Sequence, residues 1–290
     1  MRTNKVNNIK KFFLLNALIL ASIGAIAQKI IIFNPSPDFY ILQPGIQNTA
    51  AYDNEKLFSS LNYKNRLGVI SEIRDLYFDI CLPINLNQRT GIKLYSEQET
   101  SLFTKNKAEV FYSYKVNFEN DITWILAAQG GIANINFGAS GASVGGSAFS
   151  SDFSISTLIS FGNLKIGAAA KQLPNAILKP INYEFTLARY WEMYFMYSYL
   201  LDKNWKTDVS INTSIYNEFF IWNVNTAIEY QQQLGIIGRL GQKMNYAIGA
   251  YTLLQDVLSY NMKFALSYSN AYYPGIPNSN TLSALLAITK

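Results

Sequence analysis

Between Lys206 and Ile215 polar and apolar positions alternate one by one. Lys206, Asp208, Ser210, Asn212 and Ser214 fall on one side, and Thr207, Val209, Ile211, Thr213 and Ile215 on the other. Successive side chains of a strand point to opposite faces, so this stretch reads as a strand with one face for water and one for an apolar medium. The period returns elsewhere. Val110, Tyr112, Tyr114, Val116 and Phe118 oppose Phe111, Ser113, Lys115 and Asn117. Met262, Phe264, Leu266 and Tyr268 oppose Lys263, Ala265, Ser267 and Ser269. Phe220, Trp222, Val224, Thr226, Ile228 and Tyr230 oppose Ile221, Asn223, Asn225, Ala227 and Glu229.

Strand-like segments separated by turn residues fall at about 55–65, 68–82, 90–98, 107–118, 121–135, 151–162, 163–173, 181–189, 191–201, 204–215, 218–230, 233–241, 244–254, 260–270 and 281–289. That is about 14 to 15 candidates, and because closed single-chain bacterial barrels favour an even number, 14 strands are expected within a range of 12–16. Asp202-Lys203-Asn204, Glu119-Asn120-Asp121 and Gly162-Asn163 suit tight hairpins, which implies antiparallel up-and-down connectivity. Two connections read as longer, Gly138 to Ser150 and Tyr272 to Asn280. Alternation also serves a soluble sandwich, but segments of about 10 to 13 residues suit a tilted membrane crossing better than the usual short soluble strand. The predicted fold is therefore an all-β transmembrane barrel, filling residues 55–290. Residues 28–54, with Pro35, Pro37, Pro44 and Gly45 and no sustained period, read as an irregular segment that plugs the barrel or makes contact in the periplasm.

The start of the chain supplies the compartment. Arg2, Lys5, Lys10 and Lys11 precede an apolar run from Phe12 to about Ile26, which closes on Ala25-Ile26-Ala27 before Gln28. This is the pattern of a secretory signal peptide over residues 1–27, with cleavage expected after Ala27. Its run of about 15 residues is short for a spanning helix. The whole chain carries 24 basic and 19 acidic residues; without the four basic residues of the leader the balance falls to +1. A basic surface for nucleic acid is thus not supported. An exported chain of such strands belongs in the bacterial outer membrane. Low charge (15%) together with 20 Tyr and 18 Phe agrees with that, since amphipathic rings favour membrane–water interfaces.

Chemistry is sparse. The absence of histidine removes the commonest general acid–base group and metal ligand, and one cysteine, Cys81, cannot build a thiolate metal site. Cys81 reads as a small buried or lipid-facing residue. Glu97 and Glu99 share a strand face but read as a solvated edge rather than a catalytic pair. The Gly138–Gly146 run lacks the Gly-Lys-Ser/Thr ending of a phosphate loop and reads as an inter-strand loop. Tyr190-Trp191 and Tyr194 to Tyr199 read as belt or packing aromatics before a stacking site. No catalytic, cofactor or metal residue is assigned, and no enzyme is expected.

Asp38-Phe39-Tyr40, Gln43-Pro44 and Asn48-Thr49-Ala50-Ala51 precede Tyr63-Lys64-Asn65-Arg66-Leu67-Gly68. Farther on come Ser151-Asp152-Phe153, Gly162-Asn163-Leu164-Lys165-Ile166-Gly167 and Lys171-Gln172-Leu173-Pro174. This layout resembles the PorP/SprF family of type IX secretion system membrane proteins. Thr49 stands where the family usually has proline, Leu67 where it usually has Trp, and the chain ends Ala287-Ile288-Thr289-Lys290 without a terminal aromatic. The resemblance implies an accessory outer-membrane barrel whose partners are lipid, the periplasmic ring and motor of the secretion system, and a secreted cargo such as a gliding adhesin. The residues themselves leave a second function open. Lys206, Asp208, Asn212, Asn223, Asn225 and Glu229 also suit the wet lumen of a porin-like or fatty-acid-channel-like solute barrel.

Overall fold

Strands laid side by side leave two edges of unpaired N–H and C=O groups, and in lipid only closure satisfies them. Closure is what the structure shows. It is a computed structural model describing residues 30–33, 38–52, 56–67, 74–100, 102–119, 121–139, 144–182, 184–216, 219–242, 245–257, 259–273 and 276–290. The expected leader, residues 1–27, lies outside them. Two residues, Ile30–Ile31, form β1. The first half of the wall is β2 (Phe58–Leu67), β3 (Arg74–Pro83), β4 (Gln88–Thr100), β5 (Phe103–Asn117), β6 (Ile122–Phe137), β7 (Gly146–Phe161) and β8 (Leu164–Lys171). Two short strands follow, β9 (Ile177–Leu178) and β10 (Phe185–Leu187). The second half is β11 (Tyr190–Leu200), β12 (Trp205–Tyr216), β13 (Phe219–Tyr230), β14 (Leu234–Gly241), β15 (Tyr246–Val257), β16 (Tyr260–Tyr273) and β17 (Ile276–Thr289).

Fourteen of these close into one barrel, as the alternation predicts. Chain neighbours pair antiparallel, β8 meets β11 across residues 172–189, and β17 closes on β2 from Asn280 opposite Leu67 to Thr289 opposite Phe58. Facing follows parity. Ser210, Asn212 and Ser214 are buried inside while Ile211 is exposed on the outer wall, and Val110, Ile236, Ile248 and Leu266 also stand exposed there. An apolar belt of that extent belongs in lipid, not water. Gly162 takes a left-handed φ of 53° in the two-residue turn that joins β7 to β8.

Several expectations are corrected. The segment 181–189 is not a wall strand: only Phe185–Leu187 is extended, and it joins β1 and β9 in a separate three-stranded sheet. Three residues rise about 10 Å and cannot cross an apolar band of about 25 Å. Tyr272 to Asn280 is no long loop, because β16 and β17 stay paired to Tyr273 opposite Ile276, with one register shift in a stretch that includes Pro277. The loop after β6 is shorter than expected, since β7 begins at Gly146; of the glycine-rich run, residues 140–143 lie outside the described residues. Of the two positions expected for Cys81, buried or lipid-facing, it takes the buried one, facing inward.

The two ends of the barrel differ. Links 84–87, 118–121, 162–163, 201–204, 231–233 and 258–259 are short and lie at the end where β2 starts and β17 stops. The longest links, 138–145 and 172–189, lie at the other end. The first will be called the turn end and the second the loop end. Tyr114, Trp124, Tyr199, Trp205, Tyr230 and Tyr260 lie on the outer face within three residues of the turn end, forming an aromatic girdle.

Candidate functional site

Residues 38–52 contain a single charged residue, Asp38, and pass through the lumen. Two short 3-10 turns, Pro44–Ile46 and Thr49–Ala51, give this plug its shape. Pro44 opens the first with its φ preset. Asn48 caps the second, its side chain accepting from the Ala50 amide at 3.0 Å. Thr49, where the family pattern has proline, opens that second turn. Instead of a fixed φ it supplies a hydroxyl, which donates to Gln129 and accepts from Lys93 Nζ at 2.7 Å.

The plug is held by eight of the fourteen strands. Gln43 Nε2 donates to Ser60 Oγ, which in turn donates to Asp79, and the Tyr52 hydroxyl donates to the other Asp79 oxygen. Burial first, and then the Asp79 carboxylate, push the Tyr52 hydroxyl up, so Tyr52 stays the donor. Its ring stacks on Phe111 at 5.1 Å, beneath Lys93 Nζ at 5.2 Å. Lys93 also donates to the Gly45 carbonyl at 2.7 Å. Opposite, Asp38 meets Arg239 at 2.9 Å and Lys64 at 3.8 Å, and accepts from Ser267, Ser269 and Ser283 at 3.2, 2.9 and 2.7 Å. Burial raises the Asp38 carboxyl, but Lys64, Arg239 and the serine hydroxyls more than offset it and hold it at about 2.

Asn48 also donates across the lumen to the Thr157 carbonyl in β7 at 2.9 Å. Its amide lies where a Cβ on Gly167 would be, 2.3 Å away, and the Thr157 carbonyl is 2.9 Å from the same point. Gly167→Ala is therefore expected to destabilise the barrel by about 1–3 kcal/mol through overpacking. A urea midpoint in detergent micelles measures this; an unchanged midpoint would show that Asn48 moves freely.

Around the plug, Phe58, Cys81, Ile125, Leu158, Ala227 and Leu285 pack on Phe39, Ile41 and Tyr52, and a second apolar cluster with Phe33, Tyr95, Ile135, Leu178 and Leu187 lies toward the loop end. Ion pairs are set into the lumen beside it. Lys107 bridges Glu109 and Asp152 at 2.7 and 2.6 Å, and Lys171 meets Glu192 at 3.1 Å. Between Phe33, Tyr77 and the lysines lies a void of about 20 Å³, room for about one water. Phe33 follows β1 and is bonded at the loop end, its carbonyl accepting from the Tyr190 hydroxyl at 2.8 Å.

The residues singled out for a wet lumen do face inward, and four of them are bonded to neighbours on the wall, whereas the buried Asn212 amide has no hydrogen-bond partner among the described residues. Lys206 meets Asp208 at 2.9 Å, Asn225 donates to Ser210 at 3.2 Å, and Glu229 accepts from Tyr251 at 2.8 Å. Glu97 and Glu99 both serve Lys105, at 2.6 and 2.5 Å. The Tyr190–Tyr199 cluster is split by parity: Tyr190 and Tyr194 are buried inside, and Tyr197 and Tyr199 stand on the outer wall. Asp38, Lys93 and Arg239 were not anticipated. Their signal was present, as one acid in an uncharged stretch and as long cations at inward positions of the wall.

The architecture is shared with solved outer-membrane proteins. The toluene transporter TodX of Pseudomonas putida matches with a TM-score of 0.56 at 8% identity, covering 91% of this chain and 100% of that one. The Ralstonia pickettii toluene transporter TbuX matches at 0.53 and 10%, covering 93% and 96%. The CymD monoaromatic hydrocarbon channel matches at 0.52 and 8%, covering 89% and 93%. At such identities the likeness is one of fold. No curated protein matches the sequence significantly. The sequence profile of the type IX secretion system membrane protein PorP/SprF matches residues 46–276.

Proposed function

The chain belongs to the PorP/SprF family of type IX secretion system membrane proteins, and from that premise we propose that it is a closed, non-enzymatic mount for protein export. It would hold secretion components, or one exported surface protein such as a gliding adhesin, at the outer membrane without passing them through its own lumen. One observation carries this reading: the plug of residues 38–52 packs within the lumen and is bonded to eight of the fourteen wall strands. A polypeptide has no path through such a barrel, so binding falls to the exposed ends.

The orientation follows from the link lengths. Outer-membrane barrels keep short turns in the periplasm and longer loops outside. The turn end, with the start of β2 and the stop of β17, is then periplasmic and suited to docking on the secretion ring. The β1–β10–β9 sheet, set in the 172–189 link, then lies at the cell-surface end.

The test is a pulldown of the tagged protein from detergent-solubilised outer membranes, with mass spectrometry of what is retained. Periplasmic ring components or one large exported protein are the expected companions; a barrel recovered alone would sink the reading. A second expectation concerns the alternative of a solute channel. In planar bilayers the protein should show no steady conductance, and a sustained current from the unaltered chain would favour transport instead.

A further inference from the structure

On the outer wall, β5 to β8 together with β11 and β12 are not evenly convex. Ala128, Ala168 and Ala170 form a shallow floor, while Trp124, Trp191 and Phe195 stand up around it, enclosing a groove of about 860 Å³. That volume falls within the range of built ligand pockets, about 300–1,000 Å³, and its lining is almost wholly apolar. The one charged residue along it, Glu192, points into the lumen and is bonded to Lys171 at 3.1 Å. The Thr157 hydroxyl is taken by Trp124 Nε1 at 2.8 Å. The groove thus offers a visitor chiefly shape and dispersion, with the Thr213 hydroxyl the one buried outward-facing polar atom along it that has no partner among the described residues.

We propose that this groove is a binding site for the acyl chains of a periplasmic-leaflet glycerophospholipid, held more tightly than the lipid around it. Three observations select that occupant. The groove is continuous with the exposed apolar belt that faces lipid, so its neighbours are hydrocarbon chains. Its lower part lies toward the turn end, where Trp124, Ile159 and Ile166 are each two residues inside the turns that bound β6, β7 and β8, while its upper rim reaches Trp191, nine residues from the turn after β11. With the orientation given above, on which this inference rests, the lower part opens to the periplasmic leaflet. Finally, the barrel is closed, so no free strand edge lies there for a partner's strand to pair with.

Native mass spectrometry of the full protein, extracted from its outer membranes and washed in mild detergent, tests the proposal. The unaltered barrel should retain phospholipid after the surrounding lipid is stripped. Ala168→Leu, which fills the floor, should lower the retained fraction at least about tenfold, the loss of ~1.4 kcal/mol of binding or more. Ala284→Leu, an equal enlargement on the outer face of β17 away from the groove, should retain it. Ala128→Leu fills the floor from another strand and serves if Ala168→Leu loses the heat-modifiable gel mobility of a folded barrel. Equal retention in all variants would overturn the proposal, as would a second copy or a protein partner recovered in place of lipid. Retention of lipopolysaccharide instead would place the groove in the outer leaflet and overturn the orientation while leaving an acyl-chain site. Because retention is read on the isolated barrel, it is independent of whether secretion partners bind.

Discussion

Asp38→Ala is expected to destabilise the barrel by about 3–5 kcal/mol, the cost of leaving buried charges without their partner. The carboxylate has no exposed surface, and Arg239, itself buried, lies 2.9 Å away, with Lys64 at 3.8 Å. Removing the acid takes a carboxylate partner from both cations and an acceptor from three serine hydroxyls in the lumen. Asp38→Asn with Arg239→Met should recover much of the loss, because a missing pair is tolerated better than half of one. The same carboxyl sets a pH dependence. Its pKa is held at about 2, below the usual carboxylate value, so its contribution of roughly 2–3 kcal/mol is present above the unfolded pKa near 4. It fades as pH falls from about 4 through about 2. Urea midpoints in detergent at pH 7 and pH 3 would measure both effects. A loss under 1 kcal/mol for Asp38→Ala would mean that water reaches the site and screens it.

The second large effect lies across the wall. Val224 sits in the middle of β13, on the lipid face with Ile211 and Leu240 as cross-strand neighbours. Val224→Arg should cost roughly 2–4 kcal/mol, since a cation near the bilayer midplane must be dragged to an interface or left unsolvated. Asn223→Arg, one residue away and facing the lumen beside Asn212, should cost less. Refolding yields and urea midpoints in lipid vesicles decide it, and equal costs would refute the facing assigned to β13.

Much of the wall was legible because parity is a local property. Each inward–outward alternation in β5, β12, β13 and β16 could be read without knowing its neighbours, and closure to fourteen strands followed from counting. What failed was length and context. Phe185–Leu187 has strand character but pairs with β1, a partner more than 150 residues away in the chain, which no periodicity reveals. The Tyr272–Asn280 segment carries two prolines and a glycine, yet the pairing of β16 with β17 outweighs them. The plug's position was open from its prolines alone. Its anchoring was not readable, because Asp38 finds Arg239 and Ser283 only after the wall has closed around it.

That last relation bears on how the molecule is made. Asp38 lies against the seam itself, its ligands coming from β16 and β17 on one side and β2 on the other. The first and last wall strands therefore meet over a segment that must already be threaded, like a clasp shut over its pin. A chain whose plug is misplaced closes β17 onto β2 without the bonds from Lys64, Arg239 and the serines to Asp38. The buried carboxylate thus couples the stability of the closed wall to correct loading of its interior.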